Sequence, residues 1–190
     1  MLIFQIVFVI LVSIALFYGV LYNGLVTLRQ KVKEGFAGID IQLKRRHDLI
    51  PNLVETVKGY ATHEQETLEK VTKARTSAMG APSGDMKQVA GMENMLTGAL
   101  KSIFALSENY PDLKANENFI ELQKELSETE NQVAASRRIY NANVTAFNVR
   151  IDTFPSNMVA GAHNIVKAEF YDLDEEEREN MEEAPDVSFE

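Results

Sequence analysis

Residues 2–22 are apolar at almost every position, with Gln5, Ser13 and Gly19 the exceptions, and no charged side chain occurs before Arg29. An apolar run without a polar face does not read as a surface helix. Its twenty-one residues, at a helical rise of about 1.5 Å each, reach about 31 Å, roughly the hydrocarbon thickness of a bilayer. Tyr18 and Tyr22 fall at one end, where amphipathic rings favour the membrane interface. A cleaved signal peptide would need a basic n-region, a shorter apolar core and a small-x-small cleavage site. Residues 1–28 show none of these, so an uncleaved transmembrane anchor is expected there.

Beyond the run, the apolar positions become periodic. Val32, Phe36, Ile39 and Leu43, then Ile50, Leu53, Val57 and Tyr60, recur at alternating steps of four and three, with Arg46 the one break. That is a seven-residue repeat, the period of left-handed helix packing. The phase runs through Pro51, whose ring removes one backbone bond and crowds the preceding turn, so a kink is expected near it. Gly59 reads as a terminator, and Thr62-x-x-Gln65 as a capping box opening a second helix with Leu68, Val71 and Ala78 inward. Whether residues 29–79 make one kinked helix or two stays open. Gly80, Pro82 and Gly84 mark a loop over 80–85. A third helix carries Val89, Met92, Leu96, Leu100 (or Ala99), Ile103 and Leu106, and residues 109–112 with Pro111 break it. The fourth stripe is Phe119, Leu122, Leu126, Val133, Tyr140, Val144, Phe147 and Ile151, ended by Pro155.

No stretch alternates with period two, so no strand is expected. The fold class these patterns predict is all-α: an N-terminal transmembrane helix followed by an elongated antiparallel up-down four-helix bundle over residues 29–153. An even number of helices returns the chain to the membrane. Residues 154–171 therefore read as an amphipathic juxtamembrane or capping segment, with Phe154, Met158, Ala162 and Ile165 on one face.

Charge changes this picture in two places. The net charge is -9, yet residues 172–190 hold ten of the 28 carboxylates against one base, Arg178, leaving residues 1–171 neutral with 18 of each sign. A neutral body with an acidic tail lacks the basic footprint of a nucleic-acid binder, so no nucleic-acid partner is expected. The tail has few aromatics and adjacent like charges, and alone should be disordered. Arg29, Lys31 and Lys33, with Lys44, Arg45 and Arg46 farther on, lie C-terminal to the span. The positive-inside bias thus puts the N-terminus outside and the bundle in the cytoplasm.

Candidate chemistry is sparse. With 0 Cys and 3 His, thiol chemistry and thiolate metal sites are excluded. A di-iron bundle needs two Glu-x-x-His pairs, whereas Lys44, Tyr60 and Ala160 stand three before the histidines. No phosphate loop, Gly-x-Ser-x-Gly or His-Glu-x-x-His occurs, so no enzyme, cofactor or metal is expected. Two clusters remain, residues 42–55 and 136–148, each with an arginine on the apolar stripe: Arg46 and Arg137. Either both snorkel to solvent, or Arg137 pairs across helices with an acid, Asp48 being the first candidate, to set register. Arg46, Asp48, Pro51, Arg137, Tyr140, Phe154 and Met158 are the residues singled out for structural or interaction roles.

The stretch IDIQLKRRHDLIPNLVETVKGYATHEQETLEKVTKAR resembles the hallmark of the LemA family of bacterial membrane proteins, and SRRIYNANVTAFNVRIDTFPSNMVAG resembles its C-terminal hallmark. The resemblance covers about residues 1–171 and stops short of the acidic tail. It implies a single-pass protein with an outside N-terminus and a cytoplasmic antiparallel four-helix bundle, without catalytic residues to carry over. Some members are associated with membrane proteases or signalling, which implies an adaptor role. Together with the residue patterns, the expected partners are the lipid bilayer, further copies of the same chain, and a membrane protease or signalling protein.

Overall fold

A computed structural model describes residues 1–82 and 85–171. The acidic tail, and with it the expectation that it is disordered, lies outside the described residues. Six helices follow one another among them: α1 (Leu2–Lys58), α2 (Gln65–Met79), α3 (Met86–Ser107), α4 (Pro111–Lys114), α5 (Glu117–Asp152) and α6 (Ser156–Ala162). No strand occurs among the described residues.

The apolar run and the first periodic stripe are one continuous helix. α1 passes through residue 28 without a break and through Pro51 to Lys58, so residues 29–79 form two helices separated after Gly59. Every residue from 1 to 18 is exposed, and burial begins at Leu21 and Leu25. The remaining boundaries follow from local chemistry. Asp85 caps α3 by accepting from the Gln88 N–H at 2.9 Å, and Asn116 caps α5 from the Phe119 N–H at 3.0 Å. The expected capping box at Thr62 does not form: α2 begins after Glu64 with no side-chain cap. The break at 109–112 instead holds the single turn α4, opened by Pro111, whose missing N–H is harmless at a helix start.

α5 lies along α1, and residue numbers fall along one as they rise along the other. Gly24 lies beside Arg150, Lys31 meets Asn143 and Gly35 meets Tyr140. The approach at Gly35 is close, since a Cβ there would stand 3.1 Å from the Tyr140 Cα. Two apolar clusters fill the interior. Ile50, Leu53, Val57, Leu68, Leu96, Ile103 and Phe119 belong to one, and Ile39, Leu43, Val89, Val133, Tyr140, Val144 and Phe147 to the other. A third, at the foot of the apolar run, joins Leu21 and Leu25 to Val159 and Ala160 of α6.

Candidate functional site

The two main clusters are divided by a polar layer. On α1, Leu43 belongs to one cluster and Ile50 to the other, with Arg46 and His47 between; on α3 Glu93 stands between Ala90 and Leu96; on α5 Thr129 and Glu130 stand between Leu126 and Val133. Arg46 is 1% exposed and Glu93 1%, so neither reaches solvent. The Arg46 Nη2 donates to Thr97 Oγ1 at 2.7 Å and reaches Glu130 Oε2 at 2.9 Å, while Nη1 lies 3.5 Å from Glu93 Oε2. His47 Nε2 sits 2.7 Å from the other Glu93 oxygen, and since a carboxylate accepts, the imidazole N–H donates. The buried carboxylate thus takes one cationic and one imidazole donor from adjacent residues of α1. Charge-assisted bonds of this kind are short and directional, which suits them to holding α1, α3 and α5 in one register.

Pro51 is tied into the same layer. In an α-helix the His47 carbonyl would accept from the N–H four residues on, and that residue is Pro51, which has none. The Arg75 Nε of α2 donates to the His47 carbonyl at 2.7 Å and fills the vacancy. A neighbouring helix therefore satisfies the acceptor that proline leaves, and α1 continues past it.

Arg137 does not pair with Asp48. Asp48 is exposed, and among the described residues no ion pair joins the two. Arg137 is buried and its guanidinium carbon stacks 4.7 Å from the centre of the Tyr171 ring. Snorkelling is overturned for both arginines, because each points into the interior. Arg46 is drawn in by Glu93, Thr97 and Glu130, and for Arg137 the reason is a segment that heptads do not show. After α6 the chain runs back along α5 in extended form, fixed by side-chain amides. Asn148 accepts from the Ala168 N–H and donates to its carbonyl, both at 2.9 Å; Asn141 does the same to Tyr171 at 3.0 and 3.2 Å; Tyr140 Oη donates to the Glu169 carbonyl at 2.8 Å. The spacing matches: seven residues of helix rise about 10.5 Å and three extended residues span about 10 Å. Burial pushes the Tyr171 phenol above its ordinary range, the Arg137 cation pulling the other way, and burial followed by the Glu169 charge raises Tyr140. Among the described residues, Gln42 Oε1, Arg46 Nε and Arg137 Nε are buried with no hydrogen-bond partner.

Phe154 and Met158 stand exposed, at 75% and 67%, with Ala162 beside them, while Ile165 packs inward. The expected shared face therefore loses Ile165. Sequence reasoning missed His47, Glu93, Glu130, Asn141, Asn148 and Tyr171 as site residues. A signal existed for two of them, since Asn141 and Asn148 repeat at heptad spacing in a helix, where asparagine is a poor former.

Two clefts flank the layer, one of about 310 Å³ reaching His47 and Glu93, and one of about 420 Å³ reaching Arg46, Thr97 and Glu130. His47 and Glu93 are of metal-ligand type, but no group of three His, Cys, Asp or Glu that could hold a metal occurs among the described residues. The charged groups are turned toward one another, and what the geometry supplies is cohesion and register.

A helical body centred on an ion-pair layer, with one helix long and apolar enough to cross a membrane among the described residues, defines an all-helical, membrane-associated protein. The LemA family pattern matches residues 35–189, and the chain belongs to the LemA family. The match runs on through the acidic stretch, correcting the expectation that the family pattern ends before Asp172. The chain is 30% identical to Protein LemA of Metamycoplasma hominis, over 94% of this chain and 82% of that protein. It is 25% identical to Magnetosome protein MamQ 2 of Paramagnetospirillum magneticum and 22% to Magnetosome protein MamQ of Magnetospirillum gryphiswaldense. Both matches cover 79% of this chain, which spans 64% of those proteins' length. None of these names denotes an enzyme.

Proposed function

We propose that this protein is a non-catalytic, membrane-anchored helical bundle that acts by contact, as a self-assembling scaffold or interaction module at the bacterial inner membrane. One observation carries the reading: α1 is a single helix whose apolar residues 1–18 are exposed and whose continuation is buried against α5. Exposed apolar surface of that length needs a hydrocarbon solvent. In this reading α1 beyond residue 28, α2, α3 and α5 form an elongated antiparallel four-helix bundle in the cytoplasm, tethered by the span. Tethering confines copies to a plane and raises their effective concentration. Ile41 on α1 and Ile139 on α5 stand exposed on the bundle and would meet a second copy before solvent. Light scattering of the full-length protein in mild detergent tests self-assembly. A mass of several copies supports it, and a strict monomer at every concentration overturns it.

A second reading, a regulatory adaptor for a membrane enzyme such as a protease or a signalling protein, is favoured by the ten carboxylates of residues 172–190. It expects a monomer whose capture of a basic partner weakens steeply with salt.

A further inference from the structure

α6 is short, but its place on α1 is informative. Its buried residues, Ser156, Val159 and Ala160, face inward, with Val159 and Ala160 packing on Leu21 and Leu25. At its C-terminal end His163 Nε2 lies 2.9 Å from the Tyr18 hydroxyl, and its ring centre lies 4.6 Å from that of Tyr22. Tyr18 is within the apolar run, four residues before its end, so α6 reaches about 6 Å into the length that hydrocarbon would occupy. A face at that level is at the headgroup boundary of any bilayer that α1 crosses.

What α6 presents there is apolar. Met158 of α6 is 67% exposed and the flanking Phe154 and Val166 are 75% and 79% exposed, whereas Val159 and Ala160 are buried. Cations stand close by: the Arg150 guanidinium lies beside Gly24, 3.8 Å from where a Cβ would be, and Lys167 pairs with Asp152 at 2.7 Å. Apolar side chains dipping below charged heads are the arrangement of an interfacial helix.

We propose that the apolar surface made by Met158 of α6 and the flanking residues Phe154 and Val166 is seated in the headgroup–acyl boundary of the leaflet where α1 leaves the bilayer. The occupant of this face is lipid, argued from its continuity with the exposed apolar surface of α1. This gives the protein a second membrane contact, one helix wide and not in line with the span. It would fix the tilt of the bundle against the surface instead of leaving it to swivel on α1. The inference rests on the reading of α1 as a membrane span, and the test separates the two.

The chain contains 0 Trp, so single-tryptophan variants of the full-length protein report one site each. Phe8→Trp probes the span, Met158→Trp the α6 face and Met95→Trp the exposed side of α3. Each is reconstituted in vesicles of phosphatidylcholine and phosphatidylglycerol, with and without brominated acyl chains, and also titrated with acrylamide. The expected result is strong quenching of Phe8→Trp and Met158→Trp by brominated lipid, a blue-shifted Met158→Trp emission, and no lipid quenching of Met95→Trp. Phe8→Trp quenched with Met158→Trp open to acrylamide only overturns this inference and leaves the span standing. Met158→Trp shielded from both quenchers overturns it in favour of a protein occupant. Equal quenching of Met95→Trp and Met158→Trp overturns it too, since the whole bundle would then lie flat. Phe8→Trp untouched by brominated lipid overturns the span reading itself.

Discussion

Glu93 is buried and holds two donors from α1, so removing it leaves the Arg46 charge and the His47 N–H without their shared acceptor. Glu93→Leu is expected to cost about 3 kcal/mol, the lower part of the range for breaking a buried pair because Glu130 still reaches Arg46. Arg46→Met together with Glu93→Leu should cost less than the two singles combined, read from denaturant unfolding by circular dichroism in detergent; additive losses would show that the layer is not coupled. Pro51 and Arg75 make a second coupled pair. Arg75→Ala leaves the His47 carbonyl unpaired and should cost about 1–2 kcal/mol. In a Pro51→Ala background the residue-51 N–H returns to that carbonyl, so the same Arg75 change should cost markedly less in the same unfolding measurement. Tyr171 adds a pH dependence whose sign follows from its burial. The unfolded phenol ionises near pH 10 and the buried one higher, so above about pH 10 the unfolded state releases its proton first and stability falls as pH rises. Tyr171→Phe should move the alkaline unfolding midpoint upward, a residual slope of the same sign remaining from Tyr140. The position of Arg46 was legible, since it interrupts an apolar stripe. Its partner was not: Glu93 shares the inward step of α3 with Met92, and a one-residue difference in phase decides which is buried.

The helices themselves were legible because long periodic stripes, Pro111 and Pro155 agree with one another, whereas the caps at Asp85 and Asn116 emerge only in the structure. The extended segment after α6 was not, because an unpaired extended chain needs neither a period nor a partner strand when asparagine side chains supply the hydrogen bonds. Asn141 and Asn148 act on residues 168–171 as short substitutes for a neighbouring strand, donating and accepting at matched spacing. Their removal therefore acts on one element and spares the rest. Asn148→Ala deletes two bonds of about 1 kcal/mol each, enough for roughly thirtyfold faster hydrogen exchange at the Ala168 amide. Exchange in α3 should be unchanged. Unaltered exchange at Ala168 would mean that the Asn141 and Tyr140 bonds, with the apolar packing of Ile165 and Tyr171, hold the segment without Asn148.

At the scale of the whole molecule, orientation is the property on which every contact depends, and it follows from few charges. Arg29, Lys31 and Lys33 come directly after the apolar run, while the first 28 residues carry no charged side chain. Lys and Arg near the span set topology, whereas acidic residues contribute little, so the ten carboxylates of residues 172–190 do not oppose the cytoplasmic placement of α2 to α6 proposed above. The continuity of α1 then sets height. Arg46 lies twenty-four residues beyond Tyr22 on one helix, placing the ion-pair layer about 36 Å from the end of the apolar run. In the proposed orientation, a soluble partner reading that level of the bundle would approach from the cytoplasm, and one embedded in the membrane would have to extend well out of it. With 0 Cys in the chain, the prediction can be checked without a background. In cells expressing the protein, Ser127→Cys, exposed on α5, should react with a membrane-impermeant maleimide only after the inner membrane is opened, and Leu2→Cys should react in cells with only the outer barrier permeabilised. The reverse pattern would place the bundle outside, and with it every partner proposed above.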